Sequence, residues 1–299
     1  MKIKIGLLTV AMMVATSASA KVPGPLVSTD WLSKNSKNVV MLDIRKDTLS
    51  YSDKGHIPGA NLVAYKKLNG NMTVNGVTLK QMVPGADAFA ALMNKSGVKN
   101  DSSIVIISRG EKPDHVFQAT RLYWVFKYYG HNDVAILNGG TAQWVKEKRP
   151  MSNDFAEDVA GTYKAGAPHD EIRATTDQVA MASKDGSSMI YDARGLDQFI
   201  GLRYKKGFVK TAGRVPNAHL ATSSIFLAKK GPKTFESTEK IKAALISVKG
   251  DCPSIAYCNS GQYSSALWFM MHELAGNKKA KLYDGSMHAW TQTGHGTAQ

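Results

Sequence analysis

Residues 254–265 have the sequence SIAYCNSGQYSS, in which an apolar strand pattern ends at Cys258 and a helix pattern begins after a short polar turn. This order is typical of a strand that feeds a helix across a parallel sheet. It places Cys258 at the floor of a loop whose backbone N–H groups can point inward at a helix N-terminus. Such a loop favours a thiolate and holds an anion. Cys258 is therefore the candidate nucleophile.

The two halves of the chain carry the same landmarks in the same order, which indicates an internal duplication. Each half has a strand pattern ending in Asp-x-Arg, a Gly-x-x-Pro-x-Ala turn, an apolar run, and a tryptophan six residues after Asn138 or Asp284. The landmarks lie at 39–45, 55–60, 104–107 and 134–144 in the first half, and at 188–194, 213–218, 254–257 and 280–290 in the second.

Short apolar strands that alternate with helical patterns predict an α/β protein of two tandem domains, each a mainly parallel sheet flanked by helices. We predict the domains at 23–147 and 171–299, joined by a polar linker at 148–170 that contains proline and glycine. The final residues, 291–299, are predicted to fray.

The N-terminus has the pattern of a secretory signal peptide. Residues 1–4 are basic, 5–14 are mostly apolar, and the small residues at 18–20 suit cleavage after Ala20. This pattern predicts an exported protein, periplasmic or secreted, without a membrane span, because the apolar stretch is too short to cross a bilayer.

The chain is basic, with a formal net charge of +14 that falls to +12 when Lys2 and Lys4 are removed with the signal. The lysines are scattered and are not interleaved with aromatic residues as in nucleic-acid binders. We therefore predict no nucleic-acid partner, and a surface compatible with small anions.

Cys252 and Cys258 are the only cysteines. With a strand between them, their Cα atoms would lie about 20 Å apart, whereas a disulfide needs less than about 7 Å. We predict no intramolecular disulfide and a free thiol at Cys258. No metal-binding or phosphate-binding motif is found, so neither a metal nor an organic cofactor is predicted.

Taken together, the duplication, the Asp-x-Arg pairs, the Gly-x-x-Pro-x-Ala turns, the Cys-x-x-Gly loop and the terminal tryptophan motif resemble the tandem-domain rhodaneses, the thiosulfate sulfurtransferase family. The resemblance covers nearly all of the chain after residue 20. It implies that only the second domain is catalytic. Ser108 occupies the position of Cys258 in the first half, and a hydroxyl is a poor nucleophile towards sulfur.

The resemblance implies sulfur transfer through a persulfide on Cys258. A small sulfur-containing anion, thiosulfate or a persulfide, would donate the sulfur, and a thiol or cyanide would accept it. Asp192 and Arg194 are predicted to support the site, most simply as a structural ion pair. The persulfide is expected to lie against the backbone N–H groups of Asn259, Ser260, Gly261, Gln262 and Tyr263.

The sequence departs from the family pattern at three loop or pocket positions. Asn259 and Tyr263 stand where basic or threonine residues are common, and Gln198 stands where arginine is common. The loop therefore has no charge of its own. We predict that an insertion at 202–211, with four basic residues, folds over the pocket and supplies positive charge. The four are Arg203, Lys205, Lys206 and Lys210.

Two other functions are weighed. A phosphatase or arsenate reductase of the Cys-loop type would need a longer loop ending in arginine, and that arginine is missing. A non-catalytic pseudo-rhodanese, acting as a sulfur carrier or partner-binding module, is favoured by the neutral loop and opposed by the retained Cys258. His272, which follows on the next helix, is expected to face solvent and not to act as a base.

Overall fold

The computed structural model describes residues 21–155, 159–245 and 252–299. The predicted signal peptide at 1–20 lies outside these residues. Within the described ranges, no helix is both long enough and apolar enough to cross a membrane.

The first half contains seven strands and five helices. The strands are β1 (Leu26–Val27), β2 (Val40–Arg45), β3 (Asn61–Ala64), β4 (Gly70–Val74), β5 (Val77–Met82), β6 (Ile104–Ile107) and β7 (Val134–Leu137). The helices are α1 (Thr29–Asn35), α2 (Ser50–Asp53), α3 (Ala86–Asn94), α4 (Pro113–Tyr128) and α5 (Gly140–Lys146). Five strands form a parallel sheet in the order β1-β7-β6-β2-β3, while β4 and β5 form an antiparallel hairpin.

The second half repeats the five-stranded parallel sheet. Its strands are β8 (Arg173–Ala174), β9 (Met189–Asp192), β10 (His219–Leu220), β11 (Ser254–Tyr257) and β12 (Ala280–Tyr283). Its helices are α6 (Thr176–Asp185), α7 (Leu196–Phe199), α8 (Thr238–Ala244), α9 (Gln262–Phe269) and α10 (Ser286–Gln292). The parallel sheet order β8-β12-β11-β9-β10 matches that of the first half strand for strand. The predicted α/β fold with two tandem, mainly parallel sheets is confirmed.

The central strands β6 and β11 are buried along their whole length, as expected for parallel strands covered on both faces by helices. Each strand points its carboxyl end at a loop, residues 108–112 after β6 and residues 258–261 after β11. Ligand sites of open α/β sheets lie at this end of the strands.

The two halves meet through α4 and α9, which pack against each other. Thr120 and Ser265 share a hydroxyl hydrogen bond of 2.9 Å. The rings of Tyr123 and Phe269 meet edge to face, with centroids 4.9 Å apart. Every residue of α9 except Tyr263 is buried, so this helix has no solvent-facing stripe. The start of the helix that follows Cys258 is therefore fixed by contacts from both halves.

The β4–β5 hairpin belongs to the first half but packs on the second. Leu79 and Met82 share a buried apolar cluster with Met287 and Trp290 of α10. The hairpin thereby reaches the element that lies directly behind the Cys258 loop.

Two sequence expectations were wrong. His272 is 8% exposed, not solvent-facing, because its ring stacks on Trp268 with centroids 4.6 Å apart. The C-terminal residues do not fray: Trp290 donates its indole N–H to the carbonyl of Gly296 at 2.8 Å, and Ala298 pairs with Arg214.

Candidate active site

Cys258 lies immediately after β11 and is 3% exposed. Both cysteines are free thiols. The hydroxyl of the fully buried Ser264 donates to the sulfur of Cys258 at 3.4 Å. A donor at this position can stabilise negative charge that develops on the sulfur during a reaction. The sequence analysis missed Ser264, although a hydroxyl six residues after the cysteine, on the inner side of the first helical turn, was a usable signal.

Ser286 supports the loop from below. Its hydroxyl accepts the backbone N–H groups of Cys258 at 3.0 Å and Gly261 at 3.2 Å, and donates to the carbonyl of Tyr283 at 2.8 Å. Ser286 has a φ of +49°, a conformation that costs a non-glycine residue energy and that clusters at functional sites. One hydroxyl thus holds both ends of the turn that contains Cys258.

The first half shows what the loop looks like without that hydroxyl. Gly140 occupies the position of Ser286, with a φ of +57°, and a Cβ there would overlap the carbonyl oxygen of Ser108. The backbone contact that joins loop and helix is otherwise the same: Thr141 donates to Ser108 at 2.8 Å, and Met287 donates to Cys258 at 3.0 Å. The first-half loop therefore packs against the glycine backbone, while the Cys258 loop is also hydrogen-bonded by the Ser286 side chain.

Four of the five N–H groups expected to face a bound anion are available. Within the described part of the chain, the N–H groups of Asn259, Ser260, Gln262 and Tyr263 have no acceptor. Gly261 differs, because its N–H donates to Ser286. With a φ of +81° at Gly261, the turn forms a concave backbone site that can hold a negatively charged sulfur.

A cleft of about 410 Å³ opens above the thiol, between the two halves. We call it the Cys258 cleft. The second half contributes Gln198, Lys205, Cys258, Asn259, Ser260, Gln262 and Tyr263, and the first half contributes Lys46, Tyr65, Lys66, Asn69, Gln81 and Asp114. The sequence analysis assigned the first half no part of the site, because these residues are remote in sequence and follow no motif.

Positive charge reaches the cleft from both halves. Lys205 is the one basic residue of the 202–211 insertion that lines it, while Lys210 approaches the carbonyl of Gln292. Lys46 and Lys66 come from the first half, and Lys46 pairs with Asp114 at 3.1 Å. The insertion was predicted to supply positive charge; it contributes Lys205, and the first half adds Lys46 and Lys66.

Two positions that depart from the family pattern are bonded to each other. The side-chain amide of Asn259 donates to Gln198 Oε1 at 2.8 Å, and both residues line the cleft. A neutral amide pair thus replaces charges at this wall. Asn259 Oδ1 is buried and has no hydrogen-bond partner among the described residues, so it remains as an acceptor beside the loop.

A buried ion pair between the halves lies beneath the loop. Arg121 of α4 donates to Asp284 at 2.5 Å, and each side chain is 1% exposed. Asp284 also accepts the N–H of Val83 at 2.8 Å. A Cβ added to Gly261 would lie only 2.9 Å from Arg121 Nη1. Only glycine therefore fits at position 261, and the charge of the first half sits directly behind the turn.

Asp192 and Arg194 are buried and do not line the cleft. Arg194 donates to Asp192 at 2.6 Å and to the carbonyl of Gly213 at 2.8 Å. Tyr257 donates to the same carboxylate at 2.7 Å, and burial raises the pKa of Tyr257 far above its ordinary value. Asp43 and Arg45 pair in the same way in the first half, so the arrangement is a property of the fold.

Loss of the Ser286 hydroxyl should destabilise the loop. In Ser286→Ala, two buried N–H groups lose their acceptor while the positive φ is kept, so we expect the free energy of unfolding to fall by about 1–3 kcal/mol. Ser286→Gly relieves the backbone strain and should lose less. Urea unfolding of both variants measures the difference. An alanine variant as stable as the wild type would contradict this role.

Among the described residues, no group of three or more His, Cys, Asp or Glu side chains is placed to hold a metal ion.

Comparison with known proteins gives a family match for each half. Residues 28–147 and 175–293 match the sequence model of the family described as Rhodanese-like domain.

Relatives match nearly the whole chain. A protein of Mycolicibacterium smegmatis named Putative thiosulfate sulfurtransferase is 33% identical, with 90% of this chain and 94% of the relative covered. Sulfur carrier protein TtuD of Thermus thermophilus is 30% identical, with 91% and 94% covered. The crystal structure of SseA from Escherichia coli, described as a 3-mercaptopyruvate sulfotransferase, superposes with a TM-score of 0.71 at 25% identity, over 88% of this chain and 98% of that one.

Proposed function

This chain belongs to the Rhodanese-like domain family, and we propose that it is a sulfurtransferase that works through a persulfide on Cys258. The observation that carries the proposal is a buried free thiol at the floor of an N–H-lined loop that opens into a cleft. Thiosulfate or a persulfide is the donor, and a thiol or cyanide is the acceptor.

Two displacements at sulfur make up the cycle. The Cys258 thiolate attacks the outer sulfur of thiosulfate. A new S–S bond forms, the old one breaks, and sulfite leaves with the electron pair. The acceptor then attacks the outer sulfur of the persulfide and forms thiocyanate from cyanide, or a persulfide from a thiol. The Cys258 thiolate leaves unchanged, so no net oxidant or reductant is consumed.

The residues around the sulfur suit both steps. Ser264 donates to the attacking sulfur and stabilises it again as the leaving group. The N–H groups of Asn259, Ser260, Gln262 and Tyr263 supply donors for the outer, negatively charged sulfur of the persulfide. Six of the thirteen residues that line the cleft come from the first half, so we assign that half a role in substrate binding, with Ser108 silent in catalysis.

Steady-state kinetics test this function. Thiosulfate varied at several fixed cyanide concentrations should give parallel double-reciprocal lines, the pattern of a cycle with a covalent intermediate. Mercaptopyruvate is a second donor to assay, because the structurally similar SseA is named as a 3-mercaptopyruvate sulfotransferase. Turnover with neither donor, nor with a small-molecule persulfide, would overturn the proposal.

Charge reversal at the cleft rim should weaken donor binding. For Lys205→Glu or Lys66→Glu we expect KM for thiosulfate to rise about three- to tenfold with a small change in kcat, because each lysine attracts the dianion through water. The effect should shrink as salt is added. Lys206→Glu is the matched control, since Lys206 belongs to the same insertion but does not line the cleft. Equal effects at Lys205 and Lys206 would contradict this assignment.

A sulfur carrier is the second candidate. The Thermus relative bears that name, and the loop itself is neutral. In this case Cys258 would still form a persulfide but would pass its sulfur to a partner protein and turn over poorly with cyanide. Persulfide formation without cyanide turnover separates the carrier from the enzyme.

We further propose that the protein is exported after cleavage at Ala20. The support is the sequence pattern of residues 1–20. Mass spectrometry of the protein from its native host should find an N-terminus at Lys21, and an intact Met1 would contradict export.

A further inference from the structure

Resting on the proposed function, we propose that His288 is a positioning residue that holds two walls of the Cys258 cleft in place, and that it does so only as the neutral imidazole. The walls are β5, which carries Gln81, and the 202–211 insertion, which carries Lys205. Neither wall belongs to the Cys258 loop.

The hydrogen bonds of His288 fix its tautomer. Nε2 lies 3.1 Å from the backbone nitrogen of Lys80, and Nδ1 lies 2.7 Å from the carbonyl oxygen of Phe208. A backbone N–H can only donate and a carbonyl can only accept, so Nε2 carries the lone pair and Nδ1 carries the proton. The imidazole thus links a strand of the first half to the insertion of the second half.

The same residue is tied to the catalytic loop. The backbone N–H of His288 donates to the carbonyl of Asn259 at 3.1 Å. Three parts of the cleft, from three separate regions of the chain, therefore converge on one residue that does not itself line the cleft.

On the β5 side, the held segment carries a strained residue. Gln81 follows Lys80 directly, has a φ of +61°, and lines the cleft. Such a conformation persists in a non-glycine residue only where neighbouring contacts impose it. The hydrogen bond from Lys80 to His288 and that from Val83 to Asp284 fix the backbone on both sides of Gln81. Gln81 is thereby held at the wall of the cleft.

On the side of the 202–211 insertion, an aromatic stack between Phe208 and His288 holds the insertion in place. The Phe208 ring lies parallel to the imidazole, with centroids 3.9 Å apart, and Lys205 Nζ lies 4.5 Å from the Phe208 centroid. Lys205 lines the cleft. The position of this cleft cation is therefore linked to the position of His288 through one phenyl ring.

Protonation would break the link to β5. With a proton on Nε2, two N–H groups would face each other and the Lys80 hydrogen bond would be lost. The charged groups that face the ring are Lys80 from β5 and Lys205 from the insertion. Burial, together with these two cations, lowers the pKa of His288 below its ordinary value.

The pH dependence follows from that direction. A lowered pKa keeps His288 neutral above the ordinary imidazole value of about 6.5, so the bonds are fully formed there. They are lost as the pH falls through the still lower pKa of the folded protein. We expect KM for the anionic donor to rise on acidification over this window.

Three substitutions separate the contacts. In His288→Gln, the side-chain oxygen can still accept from Lys80. In His288→Asn, the amide can still donate to Phe208. His288→Phe keeps only the stacking. We expect KM for thiosulfate to rise about fivefold or more in His288→Phe, with partial recovery in the two amide variants. Alkylation of Cys258 by iodoacetamide should change less than about twofold. His219→Gln, an exposed imidazole outside the cleft, is the control.

A spectroscopic measurement tests the positioning independently of sulfur transfer. Nitrogen-15 NMR of the wild type at neutral pH should show His288 with its proton on Nδ1. The Lys80 amide should be protected from exchange, and His288→Phe should remove that protection. A proton on Nε2, or a Lys80 amide unaffected by His288→Phe, would overturn the proposal even if the chain is an active sulfurtransferase. Both results are obtained without turnover, so they also stand if the proposed function fails.

Discussion

Cys258→Ser is expected to lower sulfurtransferase turnover by at least about a thousandfold, because a hydroxyl neither ionises near neutral pH nor forms a stable bond to sulfane sulfur. The thiol is 3% exposed, and the Ser264 hydroxyl that donates to its sulfur can donate to a serine oxygen instead. The free energy of unfolding should therefore change little. The assay is thiocyanate formation from thiosulfate and cyanide.

Cys252→Ser is the matched control. Cys252 is the only other thiol of the chain and does not line the cleft, so this variant should keep full activity. A Cys258→Ser rate that stays close to the rate of Cys252→Ser would locate the chemistry elsewhere and contradict the assignment.

Arg121→Met should lower the free energy of unfolding by about 3–5 kcal/mol, because it leaves the carboxylate of Asp284 buried without its partner charge. Each side chain of the pair is 1% exposed, so water cannot replace the lost guanidinium. The variant should also lose activity, since Arg121 lies behind Gly261. Urea unfolding measures the first effect, and thiocyanate formation from thiosulfate and cyanide measures the second.

A double-mutant cycle shows whether the loss belongs to the pair. When Arg121→Met is combined with Asp284→Asn, no buried charge remains and the introduced amide can still accept from Val83, so much of the stability should return. The exposed pair Lys46–Asp114 gives the contrast: Lys46→Met should cost less than about 1 kcal/mol. If Arg121→Met costs no more than Lys46→Met, the buried pair does not hold the two halves together.

The local pattern around Cys258 was sufficient to predict the strand, the turn and the helix in their order. A strand pattern that ends at a polar turn with one glycine is compatible with few other local structures. The duplication provided a second, independent copy of the same strand–turn–helix unit. The two sheets have matching strand orders, as the duplication predicts.

The composition of the cleft could not be predicted in this way. Arg121 and Asp284 are 163 residues apart, and their contact depends on how α4 packs against α9. Both helices are buried on nearly all sides. Neither therefore has an amphipathic pattern from which the neighbouring helix could be predicted. The contributions of Lys46 and Gln81 follow from the same packing and have no local signal.

Other features had signals that could be used in retrospect. Ser286 aligns with Gly140, which has a positive φ. A serine that keeps this conformation, although glycine would adopt it more easily, indicates that the serine side chain makes a specific contact. His272 lies four residues after Trp268, a spacing at which two rings on a helix meet. That spacing argued against exposure of His272, and the structure places the two rings in contact.

The central claim is a persulfide on Cys258, and intact-protein mass spectrometry tests it most directly. After incubation with thiosulfate or a small-molecule persulfide, the wild type should gain one sulfur, about 32 Da, and lose it when cyanide is added. Cys258→Ser should gain nothing. A wild-type protein that gains no mass from either donor, or a Cys258→Ser variant that gains the same mass, would contradict the account.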